Sequence, residues 1–146
     1  MSLTRLIYVS TITSEFSLGD IDKILESSYR RNSVNNISGV LYFSTRYFMQ
    51  YIEGDRADLD ETYARIIQDR RHANLIVCEL EPIEKREFED WSLAYIPQSE
   101  SLRSLNSRFM QSAQFNPYDI PQQNVFAFIL ELKAYLPRVY LEGLTC

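Results

Sequence analysis

Tyr47-Phe-Met-Gln-Tyr-Ile-Glu-Gly54 is the stretch on which the fold turns. Its aromatic and aliphatic residues favour a strand, and Gly54 predicts a turn at its end. Strand side chains alternate faces, so Phe48, Gln50 and Ile52 share one face, while Tyr47, Met49 and Tyr51 share the other. Gln50 is the exception, a carboxamide at the centre of an otherwise apolar strand. A buried amide has two donors and two acceptor sites to satisfy, so a polar group is expected opposite it; backbone or ordered water would serve as well.

Upstream, Thr4 to Ser10 is β-rich and apolar almost throughout, which predicts a central strand buried on both faces. Tyr8 shares a face with Leu6 and Ser10 and points a second polar group into the core. Ser17 followed by Asp20 resembles a capping pattern for a helix over roughly 18–32, with Ile21, Ile24, Leu25 and Ser28 on one stripe and Asn32 a turn beyond. Asn35 to Gly39 is turn chemistry, Val40 to Phe43 a strand and Ser44-Thr-Arg46 a hairpin turn. Asp55 or Asp58 starts a second helix with Leu59, Tyr63, Ile66 and Ile67 on its apolar side, ending around Gln68 to His72. Leu75 to Leu80 and Phe88 to Tyr95 read as strands. The order β-α-β-β-α-β-β is the split βαβ arrangement. It predicts an α+β, ferredoxin-like, largely antiparallel sheet with both helices on one face. Beyond Pro97, helices are expected over 99–112 and 121–136, the latter with Val125, Ile129, Leu132 and Leu136 on its apolar side. They would cap the open sheet face or form an interface. The expected division is therefore 1–97 for the sheet domain and 98–146 for a helical extension.

Composition narrows the function. The 146 residues have a formal net charge of −5, against a nucleic-acid footprint. The basic pairs Arg30-Arg31 and Arg70-Arg71 fall where helices are expected to end, as the helix dipole favours. No stretch is apolar and long enough to span a bilayer, and a cytoplasmic location is expected. Cys78 and Cys146 form no metal or redox spacing, and with a single His a zinc site is nearly excluded. There is no phosphate loop, nucleophile elbow or Cys-His pair. What remains is a set of neutral hydrogen-bonding side chains on core-facing positions, Tyr8, Ser28, Asn32 and Gln50. Tyr and Gln are poor acid–base machinery near neutrality. They are suited to holding a heteroaromatic ring such as a flavin, pterin or nucleobase by its edge.

Six segments carry a family resemblance: Arg5-Leu-Ile-Tyr-Val-Ser10, Ile24-Leu-Glu-Ser-Ser28, Asn35-Asn-Ile-Ser-Gly39, Phe48-Met-Gln-Tyr-Ile-Glu-Gly54, Tyr63-Ala-Arg-Ile-Ile-Gln-Asp-Arg-Arg-His72 and Arg86-Glu-Phe-Glu-Asp-Trp-Ser92. In this order and spacing, over roughly residues 3–95, the chain resembles the BLUF family of blue-light sensors using FAD, in its short stand-alone form. The resemblance implies FAD, with FMN as the alternative flavin, lying between the two helices. Tyr8 matches the electron-donating tyrosine, and Gln50 the glutamine between that tyrosine and the flavin N5/O4 edge. Asn32 matches a residue binding the ring's carbonyl edge, and Ser28 a small pocket residue. Ile24, Ile37 and Ile66 match apolar residues flanking the ring, while Asp69, Arg71 and His72 match the ribityl and phosphate side. Trp91 matches the tryptophan of the last strand. The resemblance also implies a photocycle in place of catalysis, homo-oligomers, and output to a separate signalling or regulatory protein. The chain departs from the pattern at Leu93, where Met is usual, at Arg31, where Asn or His is frequent, and at Asn36, where Gly is common. The rival readings are a light-insensitive interaction module of the same fold and an acyl-phosphate-type hydrolase. The loop from Ser10 to Gly19 lacks the Arg that the hydrolase would need.

Overall fold

The computed structural model describes residues 3–17, 19, 20, 23, 36–88, 91–95, 100–111 and 114–135, with the backbone alone for 91–95, 100 and 101. Five strands form one sheet: β1 (Leu3–Ile12), β2 (Ser38–Phe43), β3 (Tyr47–Asp55), β4 (His72–Pro82) and β5 (Trp91–Tyr95). Their order is β4-β1-β3-β2-β5. The first four pair antiparallel, and β5 joins β2 in parallel. This is the expected α+β, ferredoxin-like sheet, extended by one edge strand. Helix α1 (Arg56–Ile66) links β3 to β4, and α2 (Glu100–Phe109) and α3 (Val125–Lys133) follow β5. The helix expected over 18–32 lies outside the described residues apart from Gly19, Asp20 and Lys23. Its start shows the capping pattern: the Ser17 N–H donates to the Asp20 carboxylate at 2.8 Å, and the Asp20 N–H to the Ser17 carbonyl at 2.9 Å.

The two faces of the sheet are covered by different parts of the chain. On one, Leu6, Ile37, Ile52 and Leu59 cluster, with Tyr63 and Ile66 packed against them. On the other, Ile7, Val9, Val40, Tyr42, Met49 and Tyr51 meet Leu102, Leu105, Phe128, Ile129 and Leu132 of α2 and α3. Each such fully buried side chain contributes about 1.5–3 kcal/mol, so uncovering this face would be strongly unfavourable. The two layers are also bonded together. The Tyr42 hydroxyl donates to Asn106 Oδ1 at 2.9 Å, and the Arg5 guanidinium stacks 3.6 Å from the Phe126 ring centroid while pairing with Glu79.

Several boundaries differ from the sequence reading. Gly54 makes no turn; it lies inside β3 opposite Thr4. Its missing side chain makes room for Ile37, whose Cδ1 would stand 2.6 Å from a Cβ at that position. β4 begins at His72, not Leu75, and its pairing with β1 is irregular near Tyr8 and Thr11. It forms the sheet edge and leaves Ile76 53% and Leu80 43% exposed. In α1 the buried positions are Leu59 and Thr62, whereas Ile67 is the C-cap and exposed. Phe88 is buried ahead of β5 and not in it. The second C-terminal helix starts as a 3-10 turn at Gln122–Asn124, and its buried side includes Phe128, which the stripe omitted.

Among the described residues Asn36, Asn74 and Gly39 carry positive φ. Asn36 sits at φ 57°, a conformation that Asn tolerates better than most residues, so the turn is made where Gly is the commoner choice. Gly39 sits at φ 148°, and a Cβ there would lie 1.9 Å from the Tyr51 carbonyl oxygen. Gly39→Ala is therefore expected to destabilise the fold by about 2–4 kcal/mol, read as a lower urea midpoint at unchanged slope; an unchanged midpoint would contradict this packing.

Candidate functional site

Antiparallel pairing of β1 with β3 sets Tyr8 opposite Gln50. Residues opposite each other in such a pair share a face, and the Tyr8 hydroxyl donates to Gln50 Oε1 at 2.6 Å. Tyr8 is 4% and Gln50 8% exposed. Burial, then the nearby Asp69 carboxylate, pushes the Tyr8 phenol far above the ordinary tyrosine range, so it remains a neutral donor. Among the described residues nothing accepts from Gln50 Nε2. A buried amide nitrogen calls for an acceptor.

His72, at the start of β4, stands beside this pair. Its Nε2 lies 2.7 Å from the Ile66 carbonyl and its Nδ1 2.7 Å from Ser10 Oγ. A carbonyl only accepts, so Nε2 carries a proton, and Nδ1 bonds to the Ser10 hydroxyl. Both ring nitrogens are thus occupied, and the ring stands 6.1 Å from that of Tyr8 and 6.0 Å from that of Phe48. It presents a ring surface to a ligand and no free hydrogen-bonding nitrogen.

Asp69 and Arg71 form a second group. Arg71 Nε and Nη2 grip the Asp69 carboxylate at 2.9 and 2.6 Å, and the Arg71 N–H adds a bond at 3.0 Å. This hydrogen bonding holds the Asp69 carboxyl below the usual carboxylate range and raises the guanidinium further. Asp20, in the capping turn, is close enough to interact with Arg71, and the Ser17 N–H holds its own carboxyl low. The cation is therefore fixed with its orientation set by Asp69.

The structure thus brings together Tyr8, Gln50 and His72, places Ile37 and Ile66 in the adjoining apolar cluster, and sets Asp69 and Arg71 beside it. Ile24, Ser28, Arg31 and Asn32 lie outside the described residues. Trp91 and Leu93 are placed by backbone only, opposite Gly39 and Leu41. Sequence reasoning missed Glu53, which it took as the mere end of a strand. It has no exposed surface and accepts from Ser38, Tyr51, Glu87 and Phe88. A charged residue in an otherwise apolar strand was the available signal. Among the described residues no cluster of three or more His, Cys, Asp or Glu could hold a metal ion, and no helix is long and apolar enough to cross a membrane.

The family model for sensors of blue light using FAD, BLUF, matches residues 3–94. The chain belongs to this family: it contains a blue-light sensor domain of the flavin-binding kind. Among solved structures it is similar to the dark state of BlrB, a BLUF protein (TM-score 0.76, 30% identity, 91% of this chain and 96% of that one). It is also similar to photo-activated BlsA (TM-score 0.78, 29% identity, 89% of this chain and 94% of that one). A photoactivated adenylate cyclase subunit beta of Euglena longa is 32% identical over 93 residues, 63% of this chain and 11% of that protein. The chain thus spans about a tenth of that curated relative's length. The residues present fit the family's cofactor, since the Gln50 Nε2, with no acceptor among the described residues, is a donor that a flavin ring edge, rich in acceptors, would meet.

The buried phenols give a pH prediction. Burial raises Tyr8, Tyr42 and Tyr51 above the ordinary value of 10.0, and the Glu53 carboxylate adds to the rise at Tyr51. Groups raised on folding stabilise the fold fully below that ordinary value, and the stabilisation is lost as pH climbs past it, where only the unfolded chain ionises. Alkaline titration followed by phenolate absorbance should therefore leave these three unionised until unfolding; their early, ordinary ionisation would contradict the packing.

Proposed function

We propose that the chain is a blue-light photoreceptor whose switch is the Tyr8–Gln50 pair. The observation that carries this reading is the 2.6 Å hydrogen bond from Tyr8 to Gln50 Oε1, together with a buried amide nitrogen that meets no acceptor among the described residues. When bound, FAD supplies blue-light absorption and an excited state able to accept an electron. Tyr8 gives up an electron and then its hydroxyl proton, and takes both back. Gln50 loses its donor in that interval and settles rotated or tautomerised, so the hydrogen bond from its amide to the ring edge changes. Tyr8 and Gln50 are weak acid–base groups near neutrality, so the pair acts as a switch and not as a catalyst.

The same reading assigns Ile24, Ser28, Asn32, Ile37 and Ile66 to the flavin ring, Asp69, Arg71 and His72 to the ribityl and phosphate side, and Trp91 to the photocycle. The fixed Arg71 guanidinium beside the capping turn supports the phosphate assignment, since cations and helix N-termini both suit an anion. Residues 1–97 are then the sensor and 98–146 the capping and output extension. This arrangement biases a two-state element through a local hydrogen-bond change. Output passes to a separate signalling protein in the cytoplasm. The apolar side chains exposed on edge strand β4, Ile76, Val77 and Leu80, support homo-oligomers, because such edges invite pairing.

Visible absorption before blue light, after it and after dark recovery tests the reading. The expected result is a flavin band that shifts slightly to the red without bleaching and returns. Tyr8→Phe and Gln50→Leu should each keep the flavin and abolish the shift. A normal reversible shift in either variant would overturn the assigned roles, and a colourless protein that cannot be loaded with FAD would overturn the function.

A further inference from the structure

Glu53 lies on β3 three residues beyond Gln50 and on the opposite face, with no exposed surface. Its Oε1 accepts from the Tyr51 hydroxyl at 2.8 Å and the Glu87 N–H at 2.9 Å; its Oε2 accepts from Ser38 Oγ at 3.1 Å and the Phe88 N–H at 2.7 Å. Four donors converge on two oxygens, an arrangement that only a carboxylate satisfies. Glutamine would offer one oxygen and turn its own donors toward donors.

Arg86 completes the network. Its Nη1 donates to Ser38 Oγ at 2.8 Å and to the Glu53 carbonyl at 3.1 Å, and its Nη2 to the Asn36 carbonyl at 2.6 Å. Asn36 and Ser38 flank Ile37, so one guanidinium grips the chain on both sides of that residue. Ile37 packs with Leu6, Ile52 and Leu59 on the face that carries Tyr8 and Gln50. At the other end, β5 is an edge strand paired with β2 alone. The connection leading into it is held at Arg86, Glu87 and Phe88 by this same network. One polar cluster therefore joins a wall of the switch pocket to the root of the strand that carries Trp91.

We propose that Glu53 and Arg86 are positioning residues that hold Ile37 against the switch pocket and fix the root of β5, and in doing so set the lifetime of the lit state. The inference rests on the photoreceptor reading above. Gln50 must reorganise inside a packed pocket to return to its dark arrangement. A wall that yields lowers the barrier to that return, so loosening the clamp shortens the lit state.

The test uses the full chain loaded with FAD, with Glu53→Gln, Arg86→Gln and the milder Arg86→Lys, which keeps the charge but cannot span Asn36 and Ser38. Arg56→Gln, which breaks only the exposed pair with Asp60, serves as control. The clamp variants should retain the flavin band and its red shift. Amides of Glu87 and Phe88 should exchange hydrogen about ten-fold faster in the dark, and dark recovery should run about five-fold faster, with the control unchanged in both. Faster exchange with recovery within about two-fold of the parent would show a merely structural clamp and overturn the proposal, as would unchanged exchange. Should Glu53→Gln fail to fold, Arg86→Lys decides by the same two readouts. A parent protein that shows no red shift would instead fail the photoreceptor reading, and the lifetime role with it.

Discussion

The register of β1 on β3 is the constraint from which the rest of this structure follows. Tyr8 meets Gln50 because Leu6 stands opposite Ile52 and Ser10 opposite Phe48. A slip of one residue would turn every side chain of a strand to the other face. The Tyr8–Gln50 bond would be lost, and the side chains of the Leu6–Ile37–Ile52 cluster would be exchanged with those beneath the C-terminal helices. Both faces are packed, so such a slip exposes apolar surface on each, and the register is held from both sides. The switch pair inherits its geometry from hydrophobic burial that has nothing to do with its chemistry.

Division of the sheet into two faces also separates tasks. One face holds Tyr8, Gln50, Ser10 and His72 beside an apolar cluster. The other is covered by α2 and α3, which bond to it through Tyr42–Asn106 and through Arg5. Odd and even residues of β3 therefore speak to different partners, with Gln50 facing the pocket and Tyr51 and Glu53 facing the cap. Glu53 is the place where the two sides meet, since its network reaches Ser38, next to Ile37, from the cap side.

Much of this was legible in the chain itself. Period-two alternation around Gln50 gave the face assignment, and Tyr8 was marked by being a polar group on a core-facing position. The Ser17–Asp20 cap, the Ser44–Arg46 hairpin turn and the buried stripe of α3 were local features, and local features are written in short stretches. Gly54 was misread because glycine serves both turns and close approaches; the reason for it here is Ile37, seventeen residues away in sequence and in contact only after folding. That β4 lies at the sheet edge was not legible at all, since no local pattern distinguishes a central strand from an edge one.

By itself, then, the sequence determined the elements, their order, the faces of the strands and the polar side chains that stand out from an apolar background. These depend on spacing and side-chain chemistry, which the chain carries locally. Only the tertiary structure decided which strand became an edge, that both nitrogens of His72 are taken by Ser10 and Ile66, and that Gln50 keeps an amide nitrogen without a partner among the described residues. It alone revealed the convergence of Ser38, Tyr51, Arg86 and the 87–88 backbone around Glu53. The reason is physical: satisfaction of a buried polar group depends on donors and acceptors from distant segments, and their meeting is fixed by packing and register, which no single stretch of the chain contains.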